Sequence, residues 1–362
     1  MTITKKACIA LVFSGLAFFA KAQFGGENVY QILNMSPSAK ITSLGGYSLT
    51  LNDGNPSIAY FNPSIIDSTY INNFSSSYSG LFIKMSDIGY GNVTYSNRYS
   101  KYVYAVGFQS LNYGKIDSYD EYGNSLGTAV ASDHVLFLSV SESINNNFTW
   151  GFSVKPIFSF LDSYKSYAIA GDLALSYHDS SKSSLLSLCA RNIGYQLKGY
   201  TEGTRGSMPF SLDLGYTKRF NHAPFRFSIL YKGIQKFNLD YDSPIEERSS
   251  ITSLDTSTTK DTKVTFADAA GRFSSHIVLG AELLLHKNFN VSLGFNPRKR
   301  RELRYEENMG LVGFSFGFQA VISKFKICYG HERYNRKGGL STFTLSTNLA
   351  DVFSTFTKKK TL

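Results

Sequence analysis

Ser257 and Lys260, in "SLDTSTTKDTK", have the Ser-x-x-Lys spacing of an acylating nucleophile and its base. That chemistry requires the pair on a helix, supported by Ser-Asp-Asn and Lys-Thr-Gly partners. Here the surroundings are a polar loop, and neither tripeptide occurs in the chain. The six histidines fall in no His-x-x-His or His-Glu-x-x-His group. Gly-x-Ser-x-Gly, P-loop and dinucleotide fingerprints are absent, and Cys189 and Cys328 have no zinc-type Cys/His spacing. The sequence therefore predicts no catalytic, cofactor or metal residue, and a protein that is not an enzyme.

The remaining chemistry is charge. Asp172, Asp213, Arg226, Lys232, Glu282, Lys326 and His276 lie on the polar face of alternating segments. An acid/base pair would need two of them together; compensating charges lining a polar interior need only opposite signs. The second reading is preferred. Arg298, Lys299, Arg300, Arg301 and Arg304 form a basic cluster in a connection and are the candidate extracellular contact. Such a cluster suits surface-polysaccharide phosphates or an acidic partner, and equally a solvated loop end near anionic headgroups.

Which elements position these residues follows from patterning. Lys5 and Lys6 precede an apolar run from Ala7 to Ala20, and Ala20-Lys21-Ala22 is a small-x-small cleavage site before Gln23. Residues 1–22 read as a secretory signal. Cys8 stands at the start of the run, against a lipoprotein anchor. Losing the three signal lysines leaves 34 basic against 27 acidic residues, too diffuse a surplus for nucleic acid. Tyr and Phe contribute 24 and 29 residues, with sparse Pro and frequent Gly, a mix suited to strands and turns.

Past residue 73, alternation of period 2 recurs. Phe314, Phe316, Phe318 and Ala320 share one face, with Ser315, Gly317 and Gln319 on the other. Fourteen such segments can be counted between 74 and 349. Connections after even-numbered segments are short, including 97–100, 144–146, 286–287 and 321–322. Those after odd-numbered ones are often long: 111–132, 193–208, 234–274 and 297–310. Sorting of loops by parity is the signature of a transmembrane barrel with short periplasmic turns and long extracellular loops. The predicted fold is all-β, an up-and-down outer-membrane barrel of about 14 antiparallel strands over 73–350. Both chain ends are then expected in the periplasm, the last 12 residues (351–362) as a tail. Tyr102, Tyr104, Tyr177 and Tyr216 suit interfacial girdles. Cys189 and Cys328 face the lumen from strands 7 and 13, too far apart to bridge. Pro156 is the one position suggesting an inward kink.

Residues 23–72 precede the first strand. "QILNMSPSAKITSLGGYSLTLNDGNPSIAYFNPSIID" combines turn residues with Ile32, Leu33, Ile41, Leu44, Leu49, Ile58, Tyr60 and Phe61, too apolar for a tether. A barrel of this size has a lumen that wall side chains do not fill, so a plug is predicted. Pro37 is placed at a first helical position, and Gly45-Gly46 where backbone passes close to the wall.

"SAKITSLGGYSLTLNDGNPSIAYFNPS", through Ser38, Ala39, Leu44, Gly45, Gly46, Asp53, Asn62 and Pro63, resembles the plug segment of fatty-acid-transporter-like barrels of the type IX secretion system. With Tyr30 and the terminal "GGLSTFTLSTNLADVF", the resemblance is to the PorQ family. Lys40 stands where Arg is usual, and Ser64 where Ala is. The resemblance implies a non-enzymatic anchor in the cell-surface attachment complex of Bacteroidota. Its partners would be a PorZ-like surface protein, a PorU-like sortase and a PorV-like barrel, during cargo attachment to anionic lipopolysaccharide. The alternative is a transporter of hydrophobic molecules, which needs an apolar pocket and a lateral opening.

Overall fold

A computed structural model describes residues 28–81, 87–236, 266–303, 310–334 and 338–359. The expected signal, Ser257 with Lys260, most of the 234–274 connection, and Arg304 lie outside the described residues.

Fourteen antiparallel strands close on themselves. They are β1 (Asn73–Leu81), β2 (Gly89–Tyr99), β3 (Tyr102–Tyr119), β4 (Ser125–Ser143) and β5 (Phe148–Leu161). Next come β6 (Tyr164–Asp179), β7 (Ser184–Lys198), β8 (Ser211–Arg219), β9 (Phe225–Tyr231) and β10 (Ile277–His286). The last are β11 (Phe289–Phe295), β12 (Phe314–Ile322), β13 (Phe325–Arg333) and β14 (Gly339–Asn348). Each strand pairs with its neighbours in sequence, and β1 meets β14 from Asn73↔Asn348 to Leu81↔Leu340, leaving no edge.

The alternation explains why closure is stable in lipid. In β12, Phe316 is 49% exposed, whereas Ser315 beside it is 1% exposed. Leu173, Leu214, Ile229, Leu293 and Phe343 extend this outward apolar surface around the wall. So large an exposed apolar belt belongs against hydrocarbon. Tyr99, Tyr177, Tyr216, Phe148, Phe289 and Phe325 ring the short-turn end as an aromatic girdle. No helix among the described residues is long and apolar enough to cross a membrane. The strands do the crossing.

Turn boundaries differ locally from the sequence expectation. β12 runs through Val321 and Ile322, which pair with Lys326 and Phe325, so the turn is Ser323-Lys324. β-branched residues favour the ladder, and Ser323 takes the left-handed backbone, φ 56°, that the turn requires. The connection expected at 111–132 is largely strand, and β7 takes the first six residues of the one expected at 193–208. β3 and β4 continue beyond the belt to pair Tyr119 with Ser125, and the Asp120 carboxylate accepts the amides of Tyr122 and Asn124. That hairpin projects from the long-loop rim.

Residues 28–72 occupy the lumen. Asn28 forms a parallel bridge with Ser207, in the connection between β7 and β8 on the long-loop rim. From there the chain descends through a 3-10 turn (Gln31–Asn34), helix α1 (Ala39–Ser43), and 3-10 turns at Pro56–Tyr60, Pro63–Ile65 and Ser68–Tyr70. It enters β1 at the short-turn rim. The first described residues of the plug thus lie at the long-loop rim, opposite the rim where β1 begins, and the chain end expected in the periplasm lies outside the described residues. Pro37 is not the first helical residue either; Ser38 caps α1 by accepting the Ile41 amide, and Pro37 precedes the cap. Three more helices lie at the rims: α2 (Phe266–Ser275) and α3 (Pro297–Glu302) on the long-loop side, α4 (Leu349–Lys359) on the other.

Phe316→Arg, on the outward face, should cost roughly 2–4 kcal/mol of folding stability in lipid if it sits near the midplane. Urea titration of the barrel refolded into bilayers checks this.

Candidate functional site

The plug is irregular backbone inside a low-dielectric enclosure, so its polar groups need partners that water cannot supply. The inward faces of the strands provide them. Thr344 Oγ1 accepts the Ala39 amide at 2.8 Å, and Ser315 Oγ accepts the Gly45 amide at 2.8 Å. Asn296 donates to the Gly45 carbonyl, Ser139 to that of Ala59 and Arg191 to that of Leu33. Asn92, Ser96 and Ser141 donate to the Pro37, Tyr70 and Ile66 carbonyls. The small and polar residues on strand faces are therefore a mould for this one segment.

Each plug residue singled out in the sequence has a definite place. Ser38 caps α1. Ala39 presses on β13: a Cβ added to Gly330 would lie 2.0 Å from the Ala39 carbonyl oxygen, so only glycine permits this approach. Leu44 packs over β10 and β11. Gly45, at φ +94°, and Gly46, at φ +78°, turn the chain under Glu332 and Lys299. Asp53 accepts the Asn55 amide at 3.0 Å, and its carbonyl accepts Lys326 Nζ. Asn62 accepts the Ser64 amide and donates to the Leu49 carbonyl at 2.7 Å, pinning two plug turns together. Pro63 lies against Gly151 of β5, where a Cβ would meet plug backbone at 2.4 Å.

Three lumen carboxylates, Glu282, Asp172 and Asp213, hold buried cations. Glu282 of β10 takes both Lys40 of the plug and Arg226 of β9. Asp172 of β6 meets Lys155 of β5 at 2.5 Å, and also accepts Ser153 and the Asn192 amide, each at 2.8 Å. Asp213 of β8 faces Arg191 of β7 at 3.8 Å and accepts the Gly233 amide. Arg191 lies over the Phe61 ring at 4.2 Å, and Lys232 over the Tyr47 ring at 3.9 Å. His276 Nδ1 contacts the Lys232 carbonyl, its ring stacked on Tyr231. Among the described residues no group of three His, Cys, Asp or Glu side chains could hold a metal.

Lys155 and Arg191, both fully buried, are the members that sequence reasoning missed. The signal was present: Arg191 stands two residues from Cys189, and Lys155 two from Ser153, hence on the same inward faces. Cys189 and Cys328 are buried and unpaired, as strands 7 and 13 require.

The basic cluster sits at the long-loop mouth on α3. Arg298 pairs with Glu302 at 2.6 Å in solvent. Lys299 turns inward to Glu332 at 2.6 Å; burial alone would push its ammonium down, but Glu332 and Tyr334 hold it well above the ordinary lysine value. Arg300 donates to the Val312 carbonyl and Arg301 to Ser275 Oγ. Three of these four side chains fasten α3 to the barrel mouth.

Two further features bear on passage. The β4–β5 ladder omits the two rungs that would join Leu136 and Phe137 to Pro156 and Lys155, without a register shift. Proline lacks the N–H for such a rung. Phe137 lies directly inside this interruption, its ring 5.3 Å from that of Tyr60, with Val135 and Ile157 in the same core. Below, a cavity of about 480 Å³ reaches the short-turn rim, bordered by Ser64, Ile65, Ile66, Arg98, Val103 and Ser176. The 3-10 turns Pro56–Tyr60 and Pro63–Ile65 stand between the two.

Gly330→Val should dislodge α1 from β13, exposing the plug to protease in detergent while the barrel stays closed by heat-modifiability. Asp172→Asn should cost about 3–5 kcal/mol in denaturant unfolding, because it leaves the Lys155 ammonium buried and unpaired. An apolar pair at both positions should recover most of that loss.

No family model matches the chain, and no curated protein matches it. Solved structures do. The toluene transporter TbuX of Ralstonia pickettii is 11% identical over 88% of this chain and 100% of its own, at a TM-score of 0.51. The monoaromatic hydrocarbon channel CymD is 12% identical over 88% of this chain and 97% of its own, at 0.50. At such identity the likeness is one of fold: this chain closes into a 14-strand antiparallel barrel of the same architecture.

Proposed function

We propose that the protein is an outer-membrane transporter of small hydrophobic molecules, which enter through the wall rather than along the barrel axis. The observation that carries this reading is the interrupted β4–β5 ladder at Pro156, set over the apolar lumen cluster of Phe137, Tyr60, Val135 and Ile157. A molecule dissolved in the outer leaflet meets there a wall lacking two rungs, backed by aromatic rings. An axial route is opposed by the plug and its ion pairs. The fold shared with a toluene transporter and a hydrocarbon channel supports the same reading. Passage then requires the lower plug to yield toward the cavity at the short-turn rim.

A second reading rests on a different observation. The β3–β4 hairpin projects outward and exposes Ile116, Tyr119, Tyr122 and Val130, with Tyr122 82% exposed. Such a ribbon suits a docking surface. With the resemblance to the PorQ family, it supports an anchor for a PorZ-like surface protein in type IX secretion, the lumen remaining shut.

Uptake of a labelled monoaromatic or long-chain fatty acid by cells carrying the barrel tests the first reading. Uptake should rise several-fold over empty-vector cells, and Pro156→Val, which restores the missing donor, should reduce it toward background. Uptake equal to background with correctly folded barrel overturns transport. Recovery of a large surface protein with the barrel from native membranes, lost on deleting 116–130, would favour the anchor.

A further inference from the structure

The outward wall beside the β4–β5 interruption carries a side chain that an apolar belt does not call for. Phe108, Leu136, Leu138, Phe152 and Phe158 all face outward there and are exposed. His134 stands among them, partly exposed, opposite Phe158 of β5 and next along the outward face from Leu136. Its ring stacks on Phe108 at 5.8 Å, 12° from parallel, and meets Phe160 at 5.8 Å. Its Nδ1 is buried and has no hydrogen-bond partner among the described residues. The outward histidine of β13, His331, differs: Ser341 Oγ lies 2.9 Å from its Nδ1. An imidazole nitrogen left unpaired against hydrocarbon costs free energy. A half-turn of the ring brings Nδ1 to the other edge, and in either tautomer one nitrogen donates and the other accepts. A hydroxyl beside the ring would supply the missing partner.

Height along the wall decides what brings that hydroxyl. From Ser143, at the short-turn end of β4, His134 is roughly 22 Å up the barrel for a strand tilted about 40° and rising about 3.3 Å per residue. The apolar band of such a barrel is about 25 Å tall. The imidazole therefore lies at the upper margin, level with the polar heads of amphiphiles, and the interruption lies just below, level with their chains.

The adjacent charge narrows the kind of head. Asp133 is 5% exposed on the lumen side and accepts the Tyr113 hydroxyl at 2.7 Å and that of Ser159. Unlike Asp172, Asp213 and Glu282, it holds no cation among the described residues. A carboxylate head at His134 would meet that charge across a low-dielectric wall, whereas a neutral hydroxyl would not. Lys165, opposite Phe160, is exposed at the long-loop end, where water screens it. From this placement we infer that His134 is the specificity residue of the lateral entry. It hydrogen-bonds the hydroxyl of a neutral alkyl or aryl alcohol and points the chain at the gap between Leu136 and Pro156. The inference rests on the transport reading and adds the head group that the preferred substrate carries.

Uptake of labelled 1-decanol, decane and decanoate by cells carrying the barrel, each corrected for empty-vector cells, tests it. Decanol should enter several-fold faster than decane, as one added hydrogen bond contributes. His134→Phe, which keeps the ring stack, should bring that ratio close to one. His134→Gln, which keeps a hydrogen-bonding head, should restore most of the preference, with heat-modifiability confirming that each variant is folded. Equal entry of decanol and decane through the unaltered barrel, or a ratio unmoved by His134→Phe, overturns the inference and leaves transport standing. So does a preference for decanoate over decanol. If none of the three enters above empty-vector cells, the transport reading fails and this assignment fails with it.

Discussion

Every buried backbone N–H and C=O needs a partner, and a lumen fourteen strands wide cannot be filled by wall side chains alone. The rest of this structure follows from that pair of constraints. The lumen must hold a second segment of chain, the segment is too short and too bent for regular structure, and its polar groups must be met by the wall. Inward Ser, Thr and Asn side chains meet them, and glycine in β5 and β13 lets plug backbone come within contact distance. The charges obey the same rule. Lys40 is tolerable inside the barrel because Glu282 waits for it, and Lys155 because Asp172 does.

The plug is therefore a part of the fold that happens to be irregular. Its apolar residues, among them Ile32, Leu33, Leu49, Tyr60 and Phe61, make one continuous core with inward residues of β4 to β7. Burial of that kind contributes about 25 cal/mol per Å² of apolar surface. The core is not uniform around the wall. Polar and charged contacts dominate against β10 to β14, whereas the contacts against β4 and β5 are mainly aromatic and aliphatic. The ladder interruption at Pro156 lies beside the aromatic part of that core, Phe137 and Tyr60, with the Lys155 ammonium 4.3 Å from the Tyr60 ring.

The wall was legible in the sequence because period-2 alternation and loop parity are local signals with a strong physical cause. The plug was legible as a plug because apolar residues such as Ile58 and Phe61 sit among turn residues, which a tether does not need. What escaped was whatever depends on neighbours distant in sequence. The pairing of Lys155 with Asp172 joins adjacent strands; Lys40 with Glu282 joins residues far apart in the chain. The entry of the plug from the outer rim rests on Asn28 and Ser207, neither remarkable by type. Turn positions shifted by a residue or two because Val321 and Ile322 prefer ladder to loop. The basic run on α3 looked like a free patch, since sequence does not reveal that Lys299 reaches Glu332 or that Arg301 reaches Ser275.

The central claim is that the lower plug is the moving barrier between the lateral entry and the periplasmic side. Ser64 of the plug and Ser176 of β6 place their Oγ atoms 2.7 Å apart, close enough for cysteines there to bridge. In a background lacking Cys189 and Cys328, Ser64→Cys with Ser176→Cys should support hydrophobic uptake when reduced, lose it on oxidation and regain it on reduction. Uptake unchanged by an oxidised, verified cross-link would contradict the account and leave a barrel whose plug is static.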